Sequence, residues 1–233
     1  GTVEAEGGSV ALPEYYKAQA IISRTFAVHN FARHAHDGFN ICDGVHCQAF
    51  NGKSRMNREI YSASQQTSGI VLKDKYNRTT VSVYHSNCGG ITGSASVEWN
   101  YDLPYLVPVN DPFCDHSKHR TWTVKFPLSK WNAFLVQKGY TDGSIKLISS
   151  EAGRRKFLDP QGKLLLTEIR KEFGLKSSYF NITKIDDQVW ITGHGYGHGL
   201  GLCQHGAMEM AKVGYTYVDI LMFYFRGLKL STM

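Results

Sequence analysis

Thr192-Gly-His-Gly-Tyr-Gly-His-Gly-Leu-Gly-Leu-Cys-Gln-His-Gly206 is the stretch around which this chain is organised. Glycines at 193, 195, 197, 199 and 201 alternate with His194, Tyr196, His198 and Leu200. Ordering a glycine costs backbone entropy, and what it offers in return is close approach or a positive φ. The alternation predicts a backbone lying flat against its surroundings. An extended course would put the imidazoles of His194 and His198 on one side. The run is not a nucleotide loop. A dinucleotide fingerprint needs G-x-G-x-x-G, and here the third position falls on Leu200 or Leu202. A phosphate loop needs a glycine five residues before Gly-Lys-Ser, and Cys47 stands there ahead of Gly52.

Outward from the run, the composition is that of an ordinary globular chain, 233 residues with 42% hydrophobic and 20% charged side chains. No apolar run approaches a membrane helix, and an export signal is absent from this chain. The net charge of +6 favours an acidic partner, whether nucleic acid, an anionic envelope polymer or a membrane surface. The basic residues are scattered, with Arg154-Arg155-Lys156 the densest cluster and read as a solvated hairpin, which argues against nucleic acid.

Residues 3–8 read as a strand end entering a loop, with Glu4 and Glu6 on one side. Pro13 opens a helix running to about Phe31, apolar on several sides and so buried. Lys17 and Arg24, seven apart, share one of its faces. A buried Arg24 needs a partner; a structural ion pair and a site role both stand open. Further on, His36, Cys42, His46 and Cys47 form a candidate Cys2His2 zinc set, with His34 as a substitute ligand. A Cys42–Cys47 disulfide, or free thiols beside solvated histidines, are the alternatives.

A helix is expected over Arg58–Gln66, then strands over 69–73 and 79–84 around a turn at Asp74–Asn77. The second strand delivers Tyr84-His85-Ser86-Asn87-Cys88-Gly89-Gly90, polar residues at a strand end that mark a site edge. Ser86 and His85 are adjacent and face opposite ways, which argues against a catalytic dyad. Trp99, Tyr101 and Tyr105 suit either stacking on a sugar ring or loop packing. From Arg120 to Ile191 the texture is that of an inserted α+β subdomain: a strand from Thr121, a helix from Ser129 to Lys138, hairpins at Ile145–Leu158 and 180–191, and a short helix closed by Gly174. Helices over 204–213 and 217–225 follow the glycine run. The order of elements argues α+β, with helices and antiparallel strands in a core of residues 1–119 and 192–233 and the insert at 120–191.

Three motifs, Lys17-Ala-Gln-Ala with Arg24-Thr25-Phe26-Ala27, Tyr84-His-Ser-Asn-Cys-Gly-Gly, and Gly197-His-Gly-Leu-Gly-Leu-Cys-Gln-His-Gly-Ala, occur in this order, and Tyr217-Val-Asp-Ile-Leu follows. Together they resemble the stage II sporulation protein D family, also called the SpoIID/LytB domain, over nearly the whole chain. The resemblance implies a peptidoglycan lytic transglycosylase with a glycan-binding cleft, or its sister role, a non-catalytic enhancer of a cell-wall amidase. It implies an envelope location, periplasmic or extracellular, with glycan strands as partner, and structural zinc near His36–Cys47 in some members; catalysis needs no cofactor. The family's catalytic glutamate lies eleven residues before the motif lysine, which is Glu6 here. Lys17, Arg24, Tyr84 and Ser86, with His198 and Gln204, would line the glycan cleft. Two departures stand out. Gly7-Gly8 replaces Met-Pro, and Cys203-Gln-His replaces the usual Ser-Gln-Tyr.

One glutamate suits the chemistry implied. It protonates the leaving glycosidic oxygen, then takes the proton of the muramyl C6 hydroxyl as that oxygen closes a 1,6-anhydro ring on its own anomeric carbon. Hydrolysis by water usually takes two carboxylates. Glu4 and Glu14 are rivals for the role. Cys88 and Cys114, both in loops, are expected to pair, leaving Cys203 a buried thiol.

Overall fold

A computed structural model describes residues 1–52, 57–99, 101–141, 154–159 and 162–233. In chain order its helices are α1 (Thr2–Gly7), α2 (Pro13–His29), α3 (Arg58–Gln66), α4 (Ala95–Glu98), α5 (Leu128–Gln137), α6 (Leu166–Glu172), α7 (Gln204–Lys212) and α8 (Tyr217–Tyr224). Its strands are β1 (Ile70–Lys73), β2 (Tyr84–His85), β3 (Thr121–Pro127), β4 (Phe180–Ile185), β5 (Gln188–His194), β6 (Leu202–Cys203) and β7 (Lys229–Thr232). The protein is α+β, as its pattern predicts. Among the described residues no helix is long and apolar enough to cross a membrane.

The chain divides into two compact units. The first comprises residues 1–84, 104–107 and 201–233. Its axis is α2. Pro13 starts the helix at the position where a missing N–H costs nothing, and Asn30 ends it by returning its backbone and side-chain N–H groups to Phe26 O. Tyr15, Tyr16, Ala18, Ile21 and Ile22 are wholly buried. Each large apolar side chain so buried contributes about 1.5–3 kcal/mol. Thr25 joins the helix to β1: its hydroxyl donates to Ile21 O and accepts from the Leu72 N–H. Strand β1 pairs antiparallel with β7, Ile70 opposite Thr232 and Lys73 opposite Lys229. Helix α8 carries a capping box, Thr216 and Asp219 each satisfying the other's backbone N–H.

The second unit comprises residues 85–103 and 108–200, and contains all of 120–191. It is built on an antiparallel sheet in the order β3-β5-β4, with Ile191 opposite both Val124 and Ile182. One face is buried by α5 and α6 through Trp131, Phe134, Leu166, Ile169 and Phe173.

Three expectations are corrected. Residues 3–8 are not a strand end, because Thr2–Gly7 is helical, ending at Gly8 with φ 76°. Residues two apart on a helix differ by about 200°, so Glu4 and Glu6 face opposite ways. Strands 69–73 and 79–84 do not make a hairpin; around the Asp74 turn they share only a bridge between Lys73 and Thr79, and β1 spends its edge on β7. Finally, the glycine run is not extended. Beyond His194, Gly195, Gly197, Gly199 and Gly201 all take positive φ, between 68° and 111°. The chain therefore winds through successive left-handed turns. The hairpin expected at Ile145–Leu158 and Gly52–Ser54 lie largely outside the described residues.

Candidate functional site

In the first unit, Glu6 is the carboxylate around which polar groups gather. It sits in the last turn of α1, half-buried. Its Oε1 accepts a short hydrogen bond from the Ala49 N–H (2.5 Å). The Tyr84 hydroxyl donates to Gln48 Oε1 at 3.2 Å. Gln48 Nε2 donates to Ser23 O at 3.0 Å, and Gln204 Nε2 donates to the Glu6 backbone carbonyl at 2.7 Å. Deeper still, Tyr15 donates to Gln19 Oε1 and Gln19 Nε2 to Ser23 Oγ. Burial, and then the Glu6 carboxylate, push the Tyr84 hydroxyl far above its usual pKa. Burial does the same to Tyr15. Both hydroxyls stay protonated and able to donate.

Gly7 is buried, and a Cβ there would stand 3.2 Å from the Tyr15 hydroxyl. A Cβ at Gly8 would meet nothing within 4 Å. Glu4, on the other side of α1, lines a separate polar cleft of about 440 Å³ with Ala5, Ser9 and Asn51.

Of the other predicted residues in this unit, Lys17 and Arg24 are engaged elsewhere. Lys17 Nζ pairs with Glu14 Oε1 at 2.6 Å, and Glu14 Oε2 accepts from the Tyr217 N–H at 2.8 Å. Arg24 has neither a carboxylate partner nor a contact with Glu6 among its recorded bonds. It donates to the carbonyls of Thr67 and Ile70, both at 2.7 Å, and to Ser64 O, tying α2 to the chain that leaves α3. It also borders a cleft of about 400 Å³ shared with Ser23, Cys42, Gln48 and Phe50. Glu6 lines neither cleft.

The Cys/His cluster forms, with one change of ligand. The donor atoms of His34, Cys42, His46 and Cys47 lie within 4.8 Å of one another. His36 does not join them. It lies in the 3-10 turn Ala35–Asp37, exposed, while His34 caps that turn and faces inward. The donor set fits a closed zinc site. His34 Nε2 is buried with no hydrogen-bond partner, and its Nδ1 is fixed by Asp37 Oδ2 at 2.9 Å. That carboxylate–histidine arrangement leaves Nε2 presenting its lone pair. His46 Nδ1 stands 3.8 Å from both sulfurs, and its hydrogen bond is the first cause lowering the Cys42 thiol to about 6. Cys42 and Cys47 are free thiols.

Ser86 and His198 belong to the second unit. Ser86 is half-buried beside the inward-facing His85. His85 Nδ1 meets Leu200 O at 3.0 Å, while His198 Nδ1 accepts the Leu200 N–H at 3.0 Å, so the two rings clasp one peptide residue of the glycine run from opposite ends. Burial above all, with His198 and Arg154 adding to it, pulls His85 well below the usual histidine range and keeps it neutral. His198 also lies 5.7 Å from the Trp99 ring, which stacks on Tyr101. Sequence reasoning missed Gln19, Ser23 and Gln48. Their only signal was polarity on a helix face and a loop otherwise destined for the core.

A family model for the stage II sporulation protein SpoIID matches residues 1–73. Stage II sporulation protein D of Bacillus subtilis (strain 168) is 29% identical over 250 residues, covering 99% of this chain and 72% of the relative. Its counterpart from Bacillus amyloliquefaciens is 28% identical over 249 residues, with the same coverage, 99% and 72%. An amidase enhancer of Bacillus subtilis is 26% identical over 277 residues, covering 94% of this chain and 38% of that longer protein. The motifs, the fold and matches spanning nearly every residue converge: the chain is similar to the stage II sporulation protein D family over nearly its whole length.

Proposed function

We propose that this protein is a peptidoglycan lytic transglycosylase with Glu6 as its single acid and base. The observation that carries this reading is the half-buried Glu6 carboxylate, which accepts the Ala49 N–H while Gln204 holds its backbone carbonyl. In the protonated state Glu6 delivers its proton to the glycosidic oxygen that leaves. The carboxylate so formed is steadied by the Ala49 N–H, and then takes the proton of the C6 hydroxyl while that oxygen attacks the anomeric carbon of the same muramyl sugar. No water is consumed, and the product carries a 1,6-anhydro ring. Gly8, exposed and without a side chain, lets a bulky glycan come near the end of α1. Digestion of purified glycan strands, read by mass spectrometry, is expected to give anhydromuramyl ends. Hydrated reducing ends would instead mark a muramidase.

The similarity to an amidase enhancer supports a second reading, a non-catalytic module that binds glycan and stimulates an amidase. Absence of any cleavage product, with strand binding retained, would favour it. Either function places the protein in the cell envelope.

The same proposal includes a structural zinc held by His34, Cys42, His46 and Cys47. Four protein ligands leave no open position, so the ion would brace the loop of residues 34–47 and take no part in bond cleavage. Protein purified without chelator is expected to carry about one zinc per chain. His34→Ala should lose the metal and His36→Ala should keep it. Retention by His34→Ala together with loss by His36→Ala would restore the ligand set read from the sequence.

A further inference from the structure

We infer that Cys88 and Cys114 form a redox modification site, a thiol pair poised to close as a disulfide around residues 88–114. Both side chains are buried, and their Sγ atoms stand 3.3 Å apart. A disulfide bond measures about 2.05 Å. Roughly an ångström of closure is needed, within reach of small side-chain rotations. The backbones on both sides are already held. Arg154 Nη2 donates to Cys88 O at 2.9 Å, and Asn87 Nδ2 donates to Cys114 O at 3.1 Å. The Asp111 N–H donates to Gly90 O at 2.9 Å, joining the two loops beside the sulfurs. An acceptor for the thiol proton is in place as well: Cys88 Sγ donates to Asp111 Oδ2 at 3.2 Å, while Oδ1 is occupied by the Phe113 N–H.

Cys88, Asp111 and Cys114 are also three of the donors in a group that could hold a metal ion. The sulfur separation favours the disulfide. Two thiolates on one zinc stand about 3.8 Å apart, given bonds of about 2.3 Å at a tetrahedral angle. Here the separation is shorter, and the Asp111 carboxylate is engaged by the Phe113 N–H and by Cys88 Sγ.

Burial puts both sulfurs beyond a protein oxidant, so the co-reactant is a small peroxide. Cys88, its proton passed to Asp111, attacks one oxygen of hydrogen peroxide. The O–O bond breaks, and the departing hydroxide recovers that proton as water, leaving a sulfenic acid on Cys88. Cys114 sulfur then attacks the Cys88 sulfur. The S–O bond breaks, and the hydroxyl leaves with the Cys114 proton as a second water. Two thiols and one peroxide thus become one disulfide and two waters, the sulfurs giving up two electrons and the peroxide accepting them.

The test uses the whole protein, fully reduced, with zinc supplied and reductant removed. One portion receives hydrogen peroxide; both portions are then denatured, alkylated and mapped by mass spectrometry. In the untreated portion Cys88 and Cys114 are both alkylated. After peroxide, both are expected to lose the label and appear in one cross-linked peptide pair lighter by two hydrogens, with Cys203 still alkylated. In Cys114→Ser, Cys88 should stop at the sulfenic acid and be captured by dimedone. Full alkylation of Cys88 and Cys114 after peroxide would overturn the inference, as would oxidation of Cys88 without the cross-link, or a cross-link to a different cysteine. Protection of both thiols that chelator removes would replace it with a metal site. If Cys114→Ser does not fold, the wild-type map decides alone.

Discussion

Glu6→Gln is expected to lower the rate of anhydromuramyl product formation by about 10²–10⁴-fold, the usual worth of general acid–base help. The substitution keeps the side chain's length and shape and its acceptor oxygen for the Ala49 N–H. It removes the proton that the leaving oxygen must receive. The Tyr84 hydroxyl can still donate to Gln48 Oε1, so the network beneath should survive and glycan-strand binding with it. Glu4→Gln is the control. That carboxylate is on the other face of α1, in its own polar cleft, and its loss should leave activity within about tenfold of wild type, a change of about 1.4 kcal/mol. A dead Glu4→Gln beside an active Glu6→Gln would transfer the catalytic role to the opposite side of the helix. Activity in both would leave the enhancer reading standing.

The largest effect on stability should come from the buried ion pair of the second unit. Arg154 Nη1 meets Glu98 Oε1 at 3.2 Å, with the two side chains only 4% and 3% exposed. Ser178 Oγ supports the carboxylate from 2.8 and 2.7 Å, and the guanidinium also holds Ile91 O and Cys88 O and covers the Tyr179 ring. Arg154→Met strands Glu98 without its counter-charge. Breaking a buried pair from one side costs about 3–5 kcal/mol, because the remaining charge has no water to return to. In a chain of this size that lowers the melting midpoint by about 10 °C. Replacing both residues, Glu98→Gln with Arg154→Met, should recover part of the loss, since matched apolar or neutral substitutes for a buried pair are often tolerated. A single-variant cost below about 1 kcal/mol, the range of exposed pairs, would mean that water reaches the site.

How much of this was legible depended on how local the determining physics is. Helices α3 and α8 fall almost where the pattern puts them, because Asn57 caps the first through the Glu59 and Ile60 N–H groups and Thr216 with Asp219 boxes the second. These signals lie within four residues of each other. The segment Thr2–Gly7 misled because six residues are too few for a period to declare itself, and two glutamates with one residue between them imitate a strand. The zinc-type cluster was legible in its chemistry but not in its ligand list. His34 and His36 are equally plausible by spacing, and only the turn at Ala35–Asp37 decides which ring faces the sulfurs. Glu6 was placed by its distance from Lys17, yet Lys17 itself is paired with Glu14. The amides around Glu6 could not be read at all, since the Ala49 N–H and Gln204 reach it from parts of the chain far apart in sequence.

The left-handed turns of the glycine run have a consequence for comparing distant sequences. A Cβ at Gly195 would fall 2.5 Å from Asn87 O, at Gly197 2.8 Å from His85 Cβ, and at Gly199 2.3 Å from the Arg154 guanidinium carbon. Each glycine faces a different fixed neighbour, so sliding the run by one residue would bring side chains into all three contacts at once. Between Gly195 and Gly199 an alignment therefore admits no gap. The run works as a fixed reference mark from which the numbering of looser segments, such as the one carrying Glu6, can be reckoned.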